Sequence, residues 1–189
     1  MPNNEEWHEI APTLAGDATA RTKQKIPFDI YQTFKTNRVP APMFRAIRSW
    51  IENNSEYTYH FYDDDRLFDY VEHDFPCEEF SFTPETLLRA MRTIGPGAGK
   101  ADLFRYLIIY DRGGVYMDID TVCLKPLRDY LLAEDEAVTG IGRRGDFHQW
   151  GLIYVARHPF MKQTIENTVA NIVNRRFVSG YDSLEGIGG

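Results

Sequence analysis

Apolar residues along the chain follow two periods that alternate. Ile26 to Phe34 gathers Ile30, Tyr31, Thr33 and Phe34, β-branched and aromatic residues that read as a strand, and the loop behind it holds Lys35, Asn37 and Pro40. Met43 to Ile51 has helical spacing, and Tyr57 to Tyr62 is a second aromatic strand. Asp63-Asp64-Asp65 then suits the start of a helix over Arg66 to Glu72, because carboxylates there accept free backbone amides and meet the positive end of the helix dipole. A helix over Glu85 to Thr93 is expected to end at Gly95-Pro96-Gly97.

The clearest amphipathic helix spans Ala98 to Asp111, with Ala101, Phe104, Leu107 and Ile108 on one face and Asp102, Arg105 and Ile109 on another. Gly113-Gly114 stops it. Val115-Tyr116-Met117 is a short buried strand running into Asp118-Ile119-Asp120, Val138 to Ile141 and Leu152 to Ala156 are further strands, and Pro159 to Arg176 is a helix with its proline in the first turn. Residues 1–24 show neither period and read as a flexible arm, which leaves one domain over 25–189. Strands alternating with helices predict an α/β fold with a mostly parallel sheet, helices on both faces, and ligands at the carboxyl ends of the strands.

A chain of 189 residues, 43% hydrophobic and 26% charged, has enough apolar side chains for one core. Its net charge of −7 excludes the broad basic footprint of a nucleic-acid partner but suits a cation held between carboxylates and a phosphate. Cys77 and Cys123 match neither a zinc spacing nor a secreted disulfide framework and read as free thiols. No apolar run reaches bilayer length and Met1 to Gln24 lacks the parts of a signal peptide, so the expected localisation is cytoplasmic with no transmembrane segment. Oligomeric state leaves no mark in the sequence.

Two carboxylates one residue apart at the end of a buried strand, Asp118 and Asp120, can both face a hard divalent cation that also binds diphosphate oxygens. The bare string is weak, since Asp63 to Asp65 supplies another. Context selects Asp118 and Asp120, because carboxylates beside an apolar strand are costly to desolvate without a cation or donors. Asp102 and Arg105, three apart on a helix, share a face and form either part of a ligand pocket or a plain intrahelical ion pair. Tyr116, inside the short apolar strand, reads as a core tyrosine. His60, His73, His148 and His158 read as surface or structural residues.

The run Ala101-Asp102-Leu103-Phe104-Arg105-Tyr106-Leu107-Ile108-Ile109-Tyr110, then Gly113 to Asp120 and Leu124-Lys125-Pro126-Leu127, resembles the DXD-containing sugar-binding region of glycosyltransferase family 32. That family includes initiating α-mannosyltransferases and capsular and lipid-glycan transferases. The resemblance covers Ile26 to Arg176. Ile26-Pro27 with Ile30-Tyr31-Gln32-Thr33-Phe34 is similar to the family's opening I-P-x-x-I-H-Q-T-W, with Tyr31 and Phe34 as departures, and Gln149 stands where Asn is frequent.

The resemblance implies the nucleotide-sugar transferase fold called GT-A and a retaining transfer of a hexose from a UDP- or GDP-sugar donor to a glycan or glycolipid acceptor. Asp120 would bind Mn²⁺ or Mg²⁺ directly, and Asp118 would contact the ribose or sugar and a metal-bound water. Asp102 and Arg105 would meet the donor sugar and phosphate, and Tyr31, Gln32 and Tyr116 would stand at the nucleotide. Such enzymes usually add a contact from beyond the last helix, so either the domain is truncated or unusually short at its C-terminal end, or residues such as His148 or Tyr181 substitute. An open site that favours donor hydrolysis over transfer would follow. Two other readings stand beside this one: a non-catalytic nucleotide- or carbohydrate-binding relative of the fold, and a haloacid dehalogenase-type phosphatase, whose D-x-D-x-T/V opening fits Asp118 to Val122.

Overall fold

A computed structural model of the chain describes residues 6–94, 98–143 and 145–174. The strands are β1 (Trp7–Glu9), β2 (Thr13–Leu14), β3 (Asp29–Thr33), β4 (Arg38–Pro40), β5 (Thr58–Tyr62), β6 (Gly114–Met117), β7 (Ala137–Ile141) and β8 (Phe147–Tyr154). The helices are α1 (Ala41–Asn53), α2 (Asp64–His73), α3 (Pro84–Thr93), α4 (Ala98–Arg112) and α5 (Pro159–Val173). One six-stranded sheet has the order β2-β5-β3-β6-β8-β7, and β1 pairs separately with β4. Strands β5, β3 and β6 run parallel and β7 points the same way, so four of the six share a direction while β2 and β8 oppose them.

Alternation along the strands divides the apolar side chains between two cores. Ile30, Tyr59, Phe61, Val115, Met117 and Ile153 meet Ile47 and Trp50 of α1 on one face. Tyr31, Tyr116, Leu152 and Tyr154 point to the other face, under α2 to α5. The chain passes from β3 through α1 to β5, then through α2, α3 and α4 to β6 on the opposite side of β3. The strand order therefore reverses between β3 and β6, and a crevice opens at their carboxyl ends.

Local chemistry sets the element ends. Asp63 caps α2, its side chain accepting from the Arg66 amide at 3.0 Å, while Asp64 and Asp65 occupy the first turn. Prolines lie in the first turns of α1, α3 and α5, where the missing N–H has no intrahelical partner to lose. Gly113 and Gly114 have φ of +66° and +98°. A Cβ at Gly114 would stand 2.7 Å from the Asp29 carbonyl oxygen, so this glycine lets β6 close against β3.

The structure differs from the sequence reading in three places. Helix α4 is not amphipathic: Leu103 to Tyr110 are all buried, because sheet, α3 and α5 surround it. Within the stretch read as a flexible arm, residues 6–24 carry β1 and β2, paired with β4 and β5, and Ile10 is buried. Strands of three and two residues are too short to show a period. Strand β8 begins at Phe147, five residues ahead of the expected Leu152, since its polar start is paired across the sheet edge with β7. Gly95-Pro96-Gly97, Arg176 and Tyr181 lie outside the described residues. Cys77 and Cys123 are buried free thiols.

Candidate active site

A cleft of about 270 Å³ opens at the carboxyl ends of β3 and β6. Thr33, Phe34 and Lys35 follow β3 along one wall, with Met43 of α1 beside them. Asp64 and Leu67 of α2 and Ala101 of α4 form another wall, and Arg105, Tyr116, Asp118 and Asp120 close the cleft. Ile119 is 8% exposed and joins the core on the α1 side. The motif lies in the turn that follows β6, closed by the Thr121 amide on the Asp118 carbonyl, and all three of its residues border the cleft.

The backbone of Asp118 is held from several directions. Its amide donates to the Trp150 carbonyl at 2.8 Å, and its carbonyl accepts from the Thr121 amide at 3.0 Å, the Thr121 hydroxyl at 2.6 Å and Gln32 Nε2 at 3.2 Å. Gln32 is fully buried, and its Oε1 accepts from the Tyr59 hydroxyl at 3.0 Å. Trp50 Nε1 donates to the Thr121 carbonyl at 2.9 Å, which ties the loop to α1.

Arg105 is 5% exposed and pairs with Asp102 one turn earlier on α4, while its Nη2 lies 3.2 Å from Asp118 Oδ1. Its guanidinium stacks on the Tyr116 ring at 5.3 Å, and its Nε is buried with no hydrogen-bond partner. Burial works against the charge of Arg105, but Tyr116, Asp118 and Asp102 outweigh it and raise its pKa. Asp118 is pushed up by burial foremost. The Arg105 charge and the Tyr116 hydroxyl pull it back, and Asp102 and Asp120 push it further up. Burial also raises the Tyr116 phenol, which stays neutral.

One guanidinium thus meets two part-exposed carboxylates, Asp102 and Asp118, with the exposed Asp120 beside them at the cleft, and this local excess of negative charge fits a cation. Among the described residues no group of three or more His, Cys, Asp or Glu side chains could hold a metal alone. Hard carboxylate oxygens from Asp118 and Asp120, completed by water and donor phosphates, match the way Mg²⁺-like ions are bound.

Of the residues singled out in the sequence, the structure brings Asp102, Arg105, Tyr116, Asp118 and Asp120 together. Tyr31 and Gln32 lie beneath the cleft rather than in its wall: Tyr31 is 4% exposed and stacks on His60 at 5.0 Å, and Gln32 supports Asp118. Thr33, the last residue of β3, is where the strand reaches the cleft. Sequence reading missed Lys35 and Asp64. Asp64 was hidden inside a capping run, but Asp63 does the capping and Asp64 pairs with the Lys100 ammonium at the cleft edge. His148 and Gln149 are half-buried on β8.

The family described as the glycosyltransferase sugar-binding region containing DXD motif matches residues 40–138. The initiation-specific alpha-1,6-mannosyltransferase of Candida albicans is 28% identical over 166 residues, covering 81% of this chain and 42% of that protein. Inositol phosphoceramide mannosyltransferase 3 of Schizosaccharomyces pombe is 29% identical over 154 residues, covering 80% of this chain and 40% of that protein. The chain therefore spans about two-fifths of the length of these relatives. The solved structure of the PaToxG glycosyltransferase superposes with a TM-score of 0.63 at 17% identity, over 91% of this chain and 68% of that one, and shares its fold. Because the match runs through Asp118 and Asp120, it takes the D-x-D-x-T/V string of Asp118 to Val122 away from the phosphatase reading.

Proposed function

The chain belongs to the glycosyltransferases whose sugar-binding region contains a DXD motif, and from that premise we propose that it transfers a hexose, with retention, from a UDP- or GDP-sugar to a glycan or lipid-linked acceptor, using Mn²⁺ or Mg²⁺. The single observation that carries this reading is the cluster at the β3/β6 crevice, where buried Arg105 bridges Asp102 and Asp118 beside the cleft-lining Asp120. Relatives named as mannosyltransferases support mannose as the hexose, and those named for inositol phosphoceramide support a sugar-bearing lipid among the acceptors. Among the described residues no helix is long and apolar enough to cross a membrane.

Asp118 and Asp120 would hold the cation, which when bound neutralises the donor diphosphate and stabilises the charge it gains on leaving. Arg105, which borders the cleft, offers guanidinium donors to the donor's phosphate or sugar in a nearly dry setting, where such bonds are strong. Phe34 and Met43 supply apolar contact for the nucleoside end, and Lys35 a mobile charge for phosphate. In same-face transfer the anomeric C–O bond to phosphate breaks, the acceptor oxygen bonds to that carbon, and a leaving phosphate oxygen takes the acceptor's proton. No side-chain base is then required.

The test is incubation of the protein with UDP- and GDP-hexoses and Mn²⁺, following released nucleotide and glycosylated product, beside Asp120→Ala. Turnover by the wild type that Asp120→Ala abolishes without changing the fold is the expected outcome. Binding of donors without any turnover would make the chain a non-catalytic relative, and near-normal metal-dependent activity in Asp120→Ala would remove the motif from the mechanism.

A further inference from the structure

Asp118 has a second neighbourhood on the side away from β3. Strands β6 and β8 pair antiparallel with Tyr116 opposite Leu152 and Met117 opposite Gly151, and the Asp118 amide donates to the Trp150 carbonyl at 2.8 Å. Trp150 therefore stands across from Asp118. Period two places Asp118 with Tyr116, and Trp150 with Leu152, on the same face of the sheet, where directly opposite residues have Cβ atoms about 4.5–5.5 Å apart. Tyr116 and Leu152 are covered at 1% and 4% exposure, but Trp150 is 45% exposed. His148 shares that face, its ring centroid 5.1 Å from that of Trp150. Beside it, a Cβ at Gly140 of β7 would come within 2.8 Å of the His148 ring, so a glycine there leaves room for the imidazole.

Asp118 is thus flanked by the cleft on the β3 side and by an aromatic shelf on the β8 side. We propose that Trp150 and His148 form the acceptor subsite and that its ligand is a hexopyranose ring, the apolar C–H face of the sugar lying on the indole and a hydroxyl meeting the imidazole. This rests on reading the cleft as the donor site: a donor in the cleft brings its reacting carbon to Asp118, and an acceptor has to approach from a side the donor leaves open. A flat amphipathic ring next to the reacting position suits a sugar, which has one apolar face and a polar rim, better than it suits a simple hydroxyl. The acceptor class that follows is a sugar-headed molecule.

The experiment follows the indole N–H resonances of ¹⁵N-labelled protein, whose three tryptophans are Trp7, Trp50 and Trp150, with the Trp150 signal assigned from Trp150→Phe. Methyl α-D-mannopyranoside and methyl α-D-glucopyranoside are titrated in, with and without GDP, UDP and Mn²⁺. A saturable shift confined to Trp150 is expected, together with a loss of hexoside affinity of about tenfold in Trp150→Ala. A Trp150 signal that ignores both hexosides, or a Trp150→Ala protein that binds them as the wild type does, overturns the subsite even where donor turnover is normal. Should Trp150→Ala fail to fold, the wild-type titration decides alone. A Trp150 response in a protein that binds no nucleotide sugar would uphold the hexose site and overturn the donor reading instead.

Discussion

Arg105 Nη2 lies 3.2 Å from Asp118 Oδ1, joining the middle of α4 to the end of β6, while the same guanidinium pairs with Asp102 one turn away. The helical spacing of Asp102 and Arg105 left open whether they form an ion pair or a ligand site. They do both. The intrahelical pair aims the guanidinium, and the aimed guanidinium reaches the motif.

Arg105→Ala leaves Asp102 and Asp118 facing each other without a cation, in a site where Arg105 is nearly dry but the two carboxylates are part-exposed. A loss of up to about 3 kcal/mol is expected after allowing for that exposure, read by urea unfolding. Arg105→Lys restores the charge but not the planar fork, so donor affinity should still fall about tenfold. A lysine variant that binds GDP- or UDP-sugar like the wild type would reduce the residue to a charge partner.

Burial, reinforced by Asp102 and Asp120, raises the Asp118 pKa above its ordinary 3.8. Between that value and the raised one the folded protein holds a proton that the unfolded chain has lost. Stability therefore falls as pH rises through that window and is level above it. A bound cation has to displace the same proton, so Mn²⁺ affinity should weaken on acidification while an ordinary carboxylate would still be ionised. Calorimetric titrations at descending pH check this, and affinity that stays flat down to the ordinary carboxylate range would refute it.

Gln32→Leu removes a donor to the Asp118 carbonyl and an acceptor for the Tyr59 hydroxyl, both inside the core. The expected cost is about 1–3 kcal/mol, with kcat lowered and donor KM little changed, because the side chain steadies the motif. A rise in KM with kcat preserved would show that Gln32 touches the nucleotide after all.

At Gly114, alanine meets both a φ of +98° and the Asp29 carbonyl oxygen at 2.7 Å from its Cβ. Gly114→Ala should destabilise the protein by about 1–3 kcal/mol and loosen β6 from β3. An unfolding free energy within about 0.5 kcal/mol of the wild type would mean the strands can separate there without loss.

Much of the site was legible before any fold was known. Asp118 and Asp120 stand out because a polar pair follows an apolar strand, and Asp102 and Arg105 because three residues nearly complete a helical turn. Tyr31 and Gln32, expected at the nucleotide, lie beneath the cleft wall, since the strand period tells which side chains share a face but not where along β3 the sheet ends and the cleft begins.

The amino-acid sequence by itself determined the succession of strands and helices, the cap at Asp63, the glycine pair before β6 and the spacing of the D-x-D motif, all of which depend on residues within one or two turns of each other. Only the tertiary structure decided that β6 lies between β3 and β8, which opens the crevice, buries α4 on every side and sets Trp150 across from Asp118. Those relationships join segments 32 residues or more apart, as Gln32 to Asp118 and Asp118 to Trp150 show. Strand register and order follow from how two whole apolar faces are covered at once, and no local pattern of residues carries that information.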